Sequence, residues 1–332
     1  MTIKQRKAIA LLSGGLDSSL AIRAIQHQGI EVVGLHCVIP FLRHETETVC
    51  ESSAQKIAEQ LTCRLRVLDI SEEFLSVLKD PSHGYGKNLN PCIDCKILML
   101  KKAKQVMLEE GAQFVITGEV VNQRPMSQHL RSLQEIEKES GLTGLLVRPL
   151  SALVLPKTIP QEKGWLKEGY LFDISGRARS RQIELADQWG LKDYPWPGGG
   201  CRLTDTSFCH RISDLMAYDA LSVENVKLAK RGRFFRINPR SFLIVGRDET
   251  ENGMLGAQVM LNDTVFYPYV LSGPTAVGRG PMDEEEVITC SRIVARYTQR
   301  QEKIEIKVVQ GGQEKVVSVE ELSHEELKES LR

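Results

Sequence analysis

The stretch from Lys7 to Ile22, KAIALLSGGLDSSLAI, limits what this chain can fold into more than any other. An apolar run stops at Ser13-Gly14-Gly15-Leu16-Asp17-Ser18-Ser19, after which apolar residues return at helical spacing. That order reads as a strand, a tight turn and a helix start. A helix N-terminus has unpaired N–H groups and the positive end of the helix dipole, so such a turn is a ready anion site. Gly14 and Gly15 let a ligand approach the backbone, and Ser13, Ser18 and Ser19 add hydroxyl donors. A merely capped helix requires one Ser or Asp, whereas four such residues surround two glycines here. Asp17 is a poor partner for a bare phosphate, so it is expected to cap the helix or help hold Mg²⁺. The stretch is not a Walker loop, because no Gly-Lys-Ser/Thr follows, and it lacks GxGxxG spacing.

The alternation continues over residues 7–120. Strands are expected in KAIALLS, IEVVGLHCVI, CRLRVLDI and QFVITG, and helices over 16–28, 45–61 and 91–110. Strands alternating with helices imply βαβ crossovers and an α/β fold with a doubly wound parallel sheet. The near-continuous apolar content of the strands fits a sheet covered on both faces. A loop rich in Gly, Asn and His, DPSHGYGKNLNP, precedes the long helix. From 121 to 230 short helices and loops dominate, with arginines at 177–181 and a Pro/Gly hinge at 195–200. Beyond 231 the reading is a smaller C-terminal α+β domain: strands in RFFRINPRSFLIVGRDETEN and DTVFYPYVLSG, a helix over 282–296, the hairpin KIEIKVVQGGQEKVVSV and an acidic terminal helix. The expected divisions are 1–170, 171–230 and 231–332.

Lys and Arg number 43, as do Asp and Glu, so no global charge draws the chain to nucleic acid and any such partner requires a local basic surface. No apolar run reaches membrane-spanning length. The basic start MTIKQRK leads into an apolar run that breaks at once, which reads as a first strand and not an export signal. A cytoplasmic location is therefore expected, where eight cysteines serve metal binding or catalysis more readily than disulfides.

In NLNPCIDCKILML, Asn90 suits an N-cap and Pro91 a first helical position. Cys92 and Cys95 then share one face of the first turn, where the helix dipole should lower thiol pKa values. A third cysteine, Cys201, follows three glycines in PWPGGGCRLTD. Without a second CxxC or a His pair this is not a zinc ribbon. Cys209 falls in a helical pattern and is expected in a core, as are the isolated Cys37, Cys50, Cys63 and Cys290.

SGGLDSS resembles the SGGxDS signature of the PP-loop pyrophosphatases, which cleave ATP between the α and β phosphates and adenylate a carbonyl oxygen. The resemblance implies that Ser13, Gly14, Gly15, Asp17, Ser18 and Ser19 hold ATP with Mg²⁺. It also implies that His36 lies beside the adenine and that Thr117 and Gly118 line the nucleotide after the fourth strand. For Gln123 and Arg124 a phosphate contact and an ordinary surface loop both stand.

With NPCIDC, Thr-Gly after the next strand and a glycine-preceded Cys201, the chain looks like the tRNA thiouridylases. That family replaces an activated uridine oxygen by sulfur in one of two ways. Either Cys95 and Cys201 form a nucleophile and persulfide pair, or Cys92, Cys95 and Cys201 bind a [4Fe–4S] cluster whose open iron carries sulfide. Cys92 favours the cluster, since the persulfide pair does not use it. Glu119 stands where the persulfide-type enzymes have His.

RPLSALVLPKTIP, RARSR and PGGGC resemble a stretch that follows the PP-loop domain in thiouridylase-like proteins. The tail from Lys227 resembles the NFACT-type RNA-binding module, with Lys227, Lys230, Arg231, Arg233, Arg236 and Arg240 as a basic stretch. The resemblance thus implies an ATP-dependent tRNA sulfurtransferase that forms AMP and pyrophosphate, with Asp17, Cys95 and Cys201 catalytic. Residues 1–170 would bind ATP, 171–230 complete the site, and 231–332 bind RNA. Arg177, Arg179, Arg181, Arg231, Arg233 and Arg236 would contact tRNA. The sulfur would come from sulfide or a cysteine desulfurase relay. An amidating or ligating PP-loop enzyme needs no cysteine triad, and a non-catalytic RNA-binding protein with structural zinc leaves the PP-loop unexplained.

Overall fold

The computed structural model describes residues 6–43, 53–194, 200–299, 301–323 and 325–326. Cys50, residues 45–52 of the expected second helix, the hinge at 195–199 and most of the acidic terminus lie outside them. The chain divides into two compact units, Met1–Thr204 and Asp205–Arg332, so residues 171–204 belong to the first and 205–230 to the second.

The first unit is built on five parallel strands, β1 (Lys7–Leu11), β2 (Glu31–Val38), β3 (Arg64–Asp69), β4 (Phe114–Ile116) and β5 (Leu146–Val147), in the order β3-β2-β1-β4-β5. Its helices are α1 (Leu16–Gln26), α2 (Ser53–Gln60), α3 (Ser71–Lys79), α4 (Cys92–Glu109), α5 (Leu130–Glu139), α6 (Ile159–Glu162) and α7 (Ser180–Gln188). Alternate strand residues face opposite ways. Ala8, Ala10, Phe114 and Ile116 pack with Leu20, Ile22 and Ile25 of α1 and Leu185 and Ala186 of α7. The reverse face, with fully buried Ile9 and Val115, is covered by α4, which lies on β1 and β4. The doubly wound sheet expected from the alternation is present. The sequence reading missed α3 and β5.

The second unit opens with α8 (Thr206–Ala217) and α9 (Val223–Ala229), each capped by a side chain, Asp205 and Ser222. An antiparallel sheet follows: β6 (Arg233–Asn238), β7 (Ser241–Val245), β8 (Thr264–Pro268), β9 (Ala276–Arg279), β10 (Ile304–Gln310) and β11 (Gln313–Val319), in the order β11-β10-β8-β9-β7-β6. Helix α10 (Glu249–Gly256) precedes β8, and α11 (Glu284–Arg296) starts at a capping box of Asp283 and Glu286. Val287, Cys290, Ile293 and Val294 of α11 pack on Phe235, Leu243, Phe266 and Ile306. This is the α+β module expected beyond 231, with α10 in addition.

Candidate nucleotide and cysteine site

With strand order β3-β2-β1-β4-β5, the connections leave β1 in opposite directions, and a crevice opens between the C-terminal ends of β1 and β4. The Ser-Gly-Gly turn lies there. Gly14 has φ +76°, and a Cβ on it would fall 2.6 Å from Ala54 N and Ser53 C, so only glycine fits. Gly15 is different: a Cβ there would meet only Ser13 Oγ, at 3.5 Å. No side chain caps α1, which starts from Gly15. Ser18 and Ser19 donate to the Gly15 carbonyl at 2.8 and 3.0 Å, and Ser13 Oγ lies 3.2 Å from Ser18 Oγ.

Gly118, just past β4, packs on this turn. A Cβ on it would lie 2.4 Å from Asp17 C and Ser18 N, which is why glycine follows Thr117. His36 Nδ1 is 2.9 Å from the Leu12 carbonyl, which places its ring at the same strand ends.

Asp17 does not cap α1 as expected; other partners draw its carboxylate away. Oδ2 accepts from Gln123 Nε2 at 2.7 Å and lies 3.6 Å from Arg179, while Oδ1 is buried with no partner. Gln123 is thus tied to Asp17, and Arg124 is exposed. Arg179, expected at RNA, sits beside the Ser-Gly-Gly turn. Arg177 is exposed, and exposed Arg181 pairs with Glu184 at 3.1 Å.

Glu119 is buried (2% exposed), accepting from Thr117 Oγ1 at 3.1 Å and Arg148 Nε at 3.2 Å, with Lys96 Nζ 3.9 Å away. Burial pushes its pKa up, but Lys96, Arg148 and the Thr117 hydrogen bond together outweigh it and hold the carboxyl below its ordinary range. Arg148 also donates to Glu137 at 2.9 Å and to the Leu133 carbonyl at 3.1 Å. Lys96, Arg148 and Gln182 were missed by sequence reasoning. Lys96 alone carried a signal, as the cation directly after Cys95.

Helix α4 begins at Cys92, one residue later than expected, because Pro91 has non-helical ψ. Asn90 does not cap it. Its Nδ2 donates instead to Cys92 Sγ at 3.2 Å. Cys201 arrives from the far end of the unit through an isolated antiparallel bridge to Leu42. Arg43 N donates to the Gly200 carbonyl at 2.9 Å, Arg202 N to the Phe41 carbonyl at 2.8 Å, and Asn88 Nδ2 to the Thr204 carbonyl at 2.9 Å. These bonds bring Cys201 to the CxxC turn, where Cys95 feels the charges of Cys201, Cys92 and Cys37.

The dipole does not lower the Cys95 pKa as expected. Burial raises it well above the usual thiol range, and the neighbouring cysteines add to this against the pull of Lys96. Burial likewise pushes Cys37 up to about 12. Cys63, Cys209 and Cys290 are buried, as expected.

Two thiolates on one zinc stand at most about 4.6 Å apart. Among the described residues the one group of three metal-ligating side chains within 4.8 Å of one another is His83, Glu135 and Glu139, so Cys92, Cys95 and Cys201 are spaced more widely than one ion requires. Three sulfur donors are the ligand chemistry that an iron–sulfur cluster takes.

In the second unit Arg236 pairs with Asp214, donates to the Ser241 carbonyl at 3.2 Å and lies 4.5 Å over the Tyr218 ring. Arg233 lies 4.2 Å over Tyr297 and donates to the Gly246 carbonyl at 3.1 Å. Both guanidinium groups hold the unit together. Arg231 is half-buried, while Lys227 and Arg240 are exposed.

A parallel sheet with a Ser-Gly-Gly turn at its switch point, closed by a glycine from the neighbouring strand, places the first unit in the PP-loop class of α/β nucleotide-binding domains. More particularly, residues 3–158 match the family described as thiamine biosynthesis protein (ThiI), and residues 232–331 match the NFACT protein RNA binding domain. The chain therefore joins a ThiI-family domain to an NFACT-type domain.

It is similar to the tRNA-specific 2-thiouridylase MnmA of Helicobacter hepaticus, 32% identical over 116 residues, 34% of this chain and 33% of the relative. It is also similar to a probable tRNA sulfurtransferase of Thermococcus kodakarensis, 30% identical over 151 residues, 45% of this chain and 38% of the relative. The chain thus spans about a third of the length of these relatives. Among solved structures it resembles a 4-thiouridine synthetase in complex with RNA and bound ATP, 21% identical over 55% of this chain and 50% of that one, with TM-score 0.36. No helix among the described residues is long and apolar enough to cross a membrane.

Proposed function

We propose that this chain is an ATP-dependent tRNA sulfurtransferase that forms AMP and pyrophosphate, with Cys92, Cys95 and Cys201 as ligands of a [4Fe–4S] cluster. One observation carries the reading: Lys96 joins the two halves of the site. It lies 3.9 Å from Glu119 in the nucleotide crevice, and its charge is felt by Cys95 and Cys37. An activating centre and a sulfur-bearing centre therefore share one wall.

The Ser-Gly-Gly turn and the N-terminus of α1 receive the phosphates of MgATP, with Ser13 and Ser18 as hydroxyl donors. A uridine carbonyl oxygen attacks the α-phosphorus, and the bond to the β-phosphate breaks as pyrophosphate leaves with its electron pair. Sulfur then attacks the activated carbon and expels AMP. Lys96 and Arg179, the cations beside Glu119 and Asp17, would offset the negative charge that develops on the phosphates, while Arg148 holds Glu119 in place. The thiols of Cys92, Cys95 and Cys201 lose their protons to become ligands, and Asn90 steadies Cys92 through its sulfur. When bound, the cluster would be held by Cys92, Cys95 and Cys201 and would supply a binding position for sulfide, which arrives as such or is released from a cysteine desulfurase persulfide by a thiol reductant.

The test is anaerobic reconstitution of Cys92→Ala, Cys95→Ala and Cys201→Ala, measuring iron per chain and thiolated tRNA on each. All three are expected to lose both. A Cys92→Ala protein that lacks iron but still thiolates tRNA would replace the cluster with a Cys95–Cys201 persulfide pair.

A further inference from the structure

We propose that Gln182 is a positioning residue of the nucleotide site. Acting through Gln123, it fixes the carboxylate of Asp17 so that Oδ1 is the oxygen offered to the magnesium of MgATP. The inference rests on the ATP-binding reading above and adds to it a residue from α7, outside every nucleotide motif in the sequence.

Gln182 is fully buried (0% exposed), and its Nε2 donates to Gln123 Oε1 at 3.0 Å. Gln123, also buried, donates through its own Nε2 to Asp17 Oδ2 at 2.7 Å. The direction of this relay is forced from its far end. An ionised carboxylate only accepts, so Gln123 must turn its NH₂ to Asp17 and hence its carbonyl to Gln182. Gln182 must answer with its NH₂, and its own carbonyl oxygen is left buried without a partner.

An orphaned buried carbonyl is unfavourable, and a leucine of similar size would pack there without one. What the glutamine adds is the orientation of Asp17. Asp17 Oδ1 is the second buried oxygen without a partner in this network, so the relay occupies one carboxylate oxygen and leaves the other for a cation. Arg179, 3.6 Å from Oδ2, lies beyond hydrogen-bond distance; it balances the charge of Asp17 without fixing its rotation.

The experiment is calorimetric titration of the full chain with MgATP, and with ATP in excess chelator, on wild type, Gln182→Leu, Gln123→Leu and the double variant. Gln182→Met stands in if the leucine variant does not fold. Gln182→Leu is expected to bind MgATP about tenfold more weakly, because Gln123 loses the amide hydrogen bond that orients it toward Asp17, and metal-free ATP within about twofold of wild type. The double variant is expected to bind no more weakly than Gln123→Leu alone, because a relay broken once cannot be broken again. Three outcomes overturn the proposal: unchanged MgATP affinity in Gln182→Leu, an equal loss with and without the metal, or additive effects. Failure of the wild type to bind MgATP would instead overturn the nucleotide reading on which the proposal stands.

Discussion

Gly15 and Gly118 face the same turn for opposite reasons, and the difference is measurable. A Cβ on Gly118 would fall 2.4 Å from the backbone of Asp17 and Ser18, which cannot swing aside as a side chain can. Gly118→Ala is expected to lower stability by about 1–3 kcal/mol and to weaken MgATP binding with it. Gly15→Ala meets only the Ser13 hydroxyl, so it should leave the melting temperature near wild type while still weakening MgATP. Thermal unfolding beside a nucleotide titration separates the two. Glu119 gives a pH signature. Its carboxyl is held below its ordinary value of 4.5, so its contribution to stability is complete above that value and lost as pH falls through the depressed folded pKa. Urea midpoints taken from neutral to acid pH should show Glu119→Gln less stable at neutrality and less sensitive to acid. The turn was legible because glycine and serine were written consecutively. The partners of Glu119 were not, since Arg148 reaches it from just past β5 and no local pattern marks that pairing.

Among the elements, α4 carries two cysteines in its first turn, and His83 steadies that turn from the loop before it. His83 Nδ1 lies 2.9 Å from Asp94, its backbone N–H donates to the same carboxylate at 3.1 Å, and Nε2 faces Glu139 of α5 at 3.2 Å. The Asp94 hydrogen bond, opposed by burial and helped by the carboxylates of Asp94, Glu139 and Glu135, raises the His83 pKa above 6.5. A raised folded value means that the tie is at full strength below that pH and is lost as pH rises through the folded pKa. Amide exchange in the loop and first turn of α4 should therefore be faster in His83→Gln than in wild type at mildly acid pH, and equal in both well above the folded value. The elements that the sequence revealed had punctuation or period. Helix α1 announced itself with the Ser-Gly-Gly turn before it, and β1 and β2 with near-continuous apolar runs. The ones it hid lacked both: α3 follows β3 with only Ile70 between them, β5 is two residues long, and α10 contains Gly253 and ends at Gly256. Asn90 misled because an N-cap signal cannot show that the amide finds a better partner in a neighbouring sulfur.

Across the whole molecule, balanced charge says little, and the division into two units says more. A chain ending at Thr204 is expected to retain MgATP binding and to lose tRNA affinity together with much of its salt dependence, because phosphate contacts set that slope. Exposed Lys227 and Arg240 are the cations to change within the intact chain. Each Lys→Glu or Arg→Glu substitution should lower the salt slope by about one, whereas Arg236→Ala should act on melting temperature through the lost contacts to Asp214 and Tyr218. Filter binding of tRNA over a salt series decides between these outcomes. The bridge between Leu42 and Cys201 also bears on how such a molecule comes to be finished. Translation delivers Cys92 and Cys95 early, in the first third of the chain. Cys201 emerges much later and reaches them only by lying back along a segment made near the start. On the proposed function, a chain not yet extended to Cys201 could not retain iron, and cluster loading waits for the first unit's final residues to leave the ribosome.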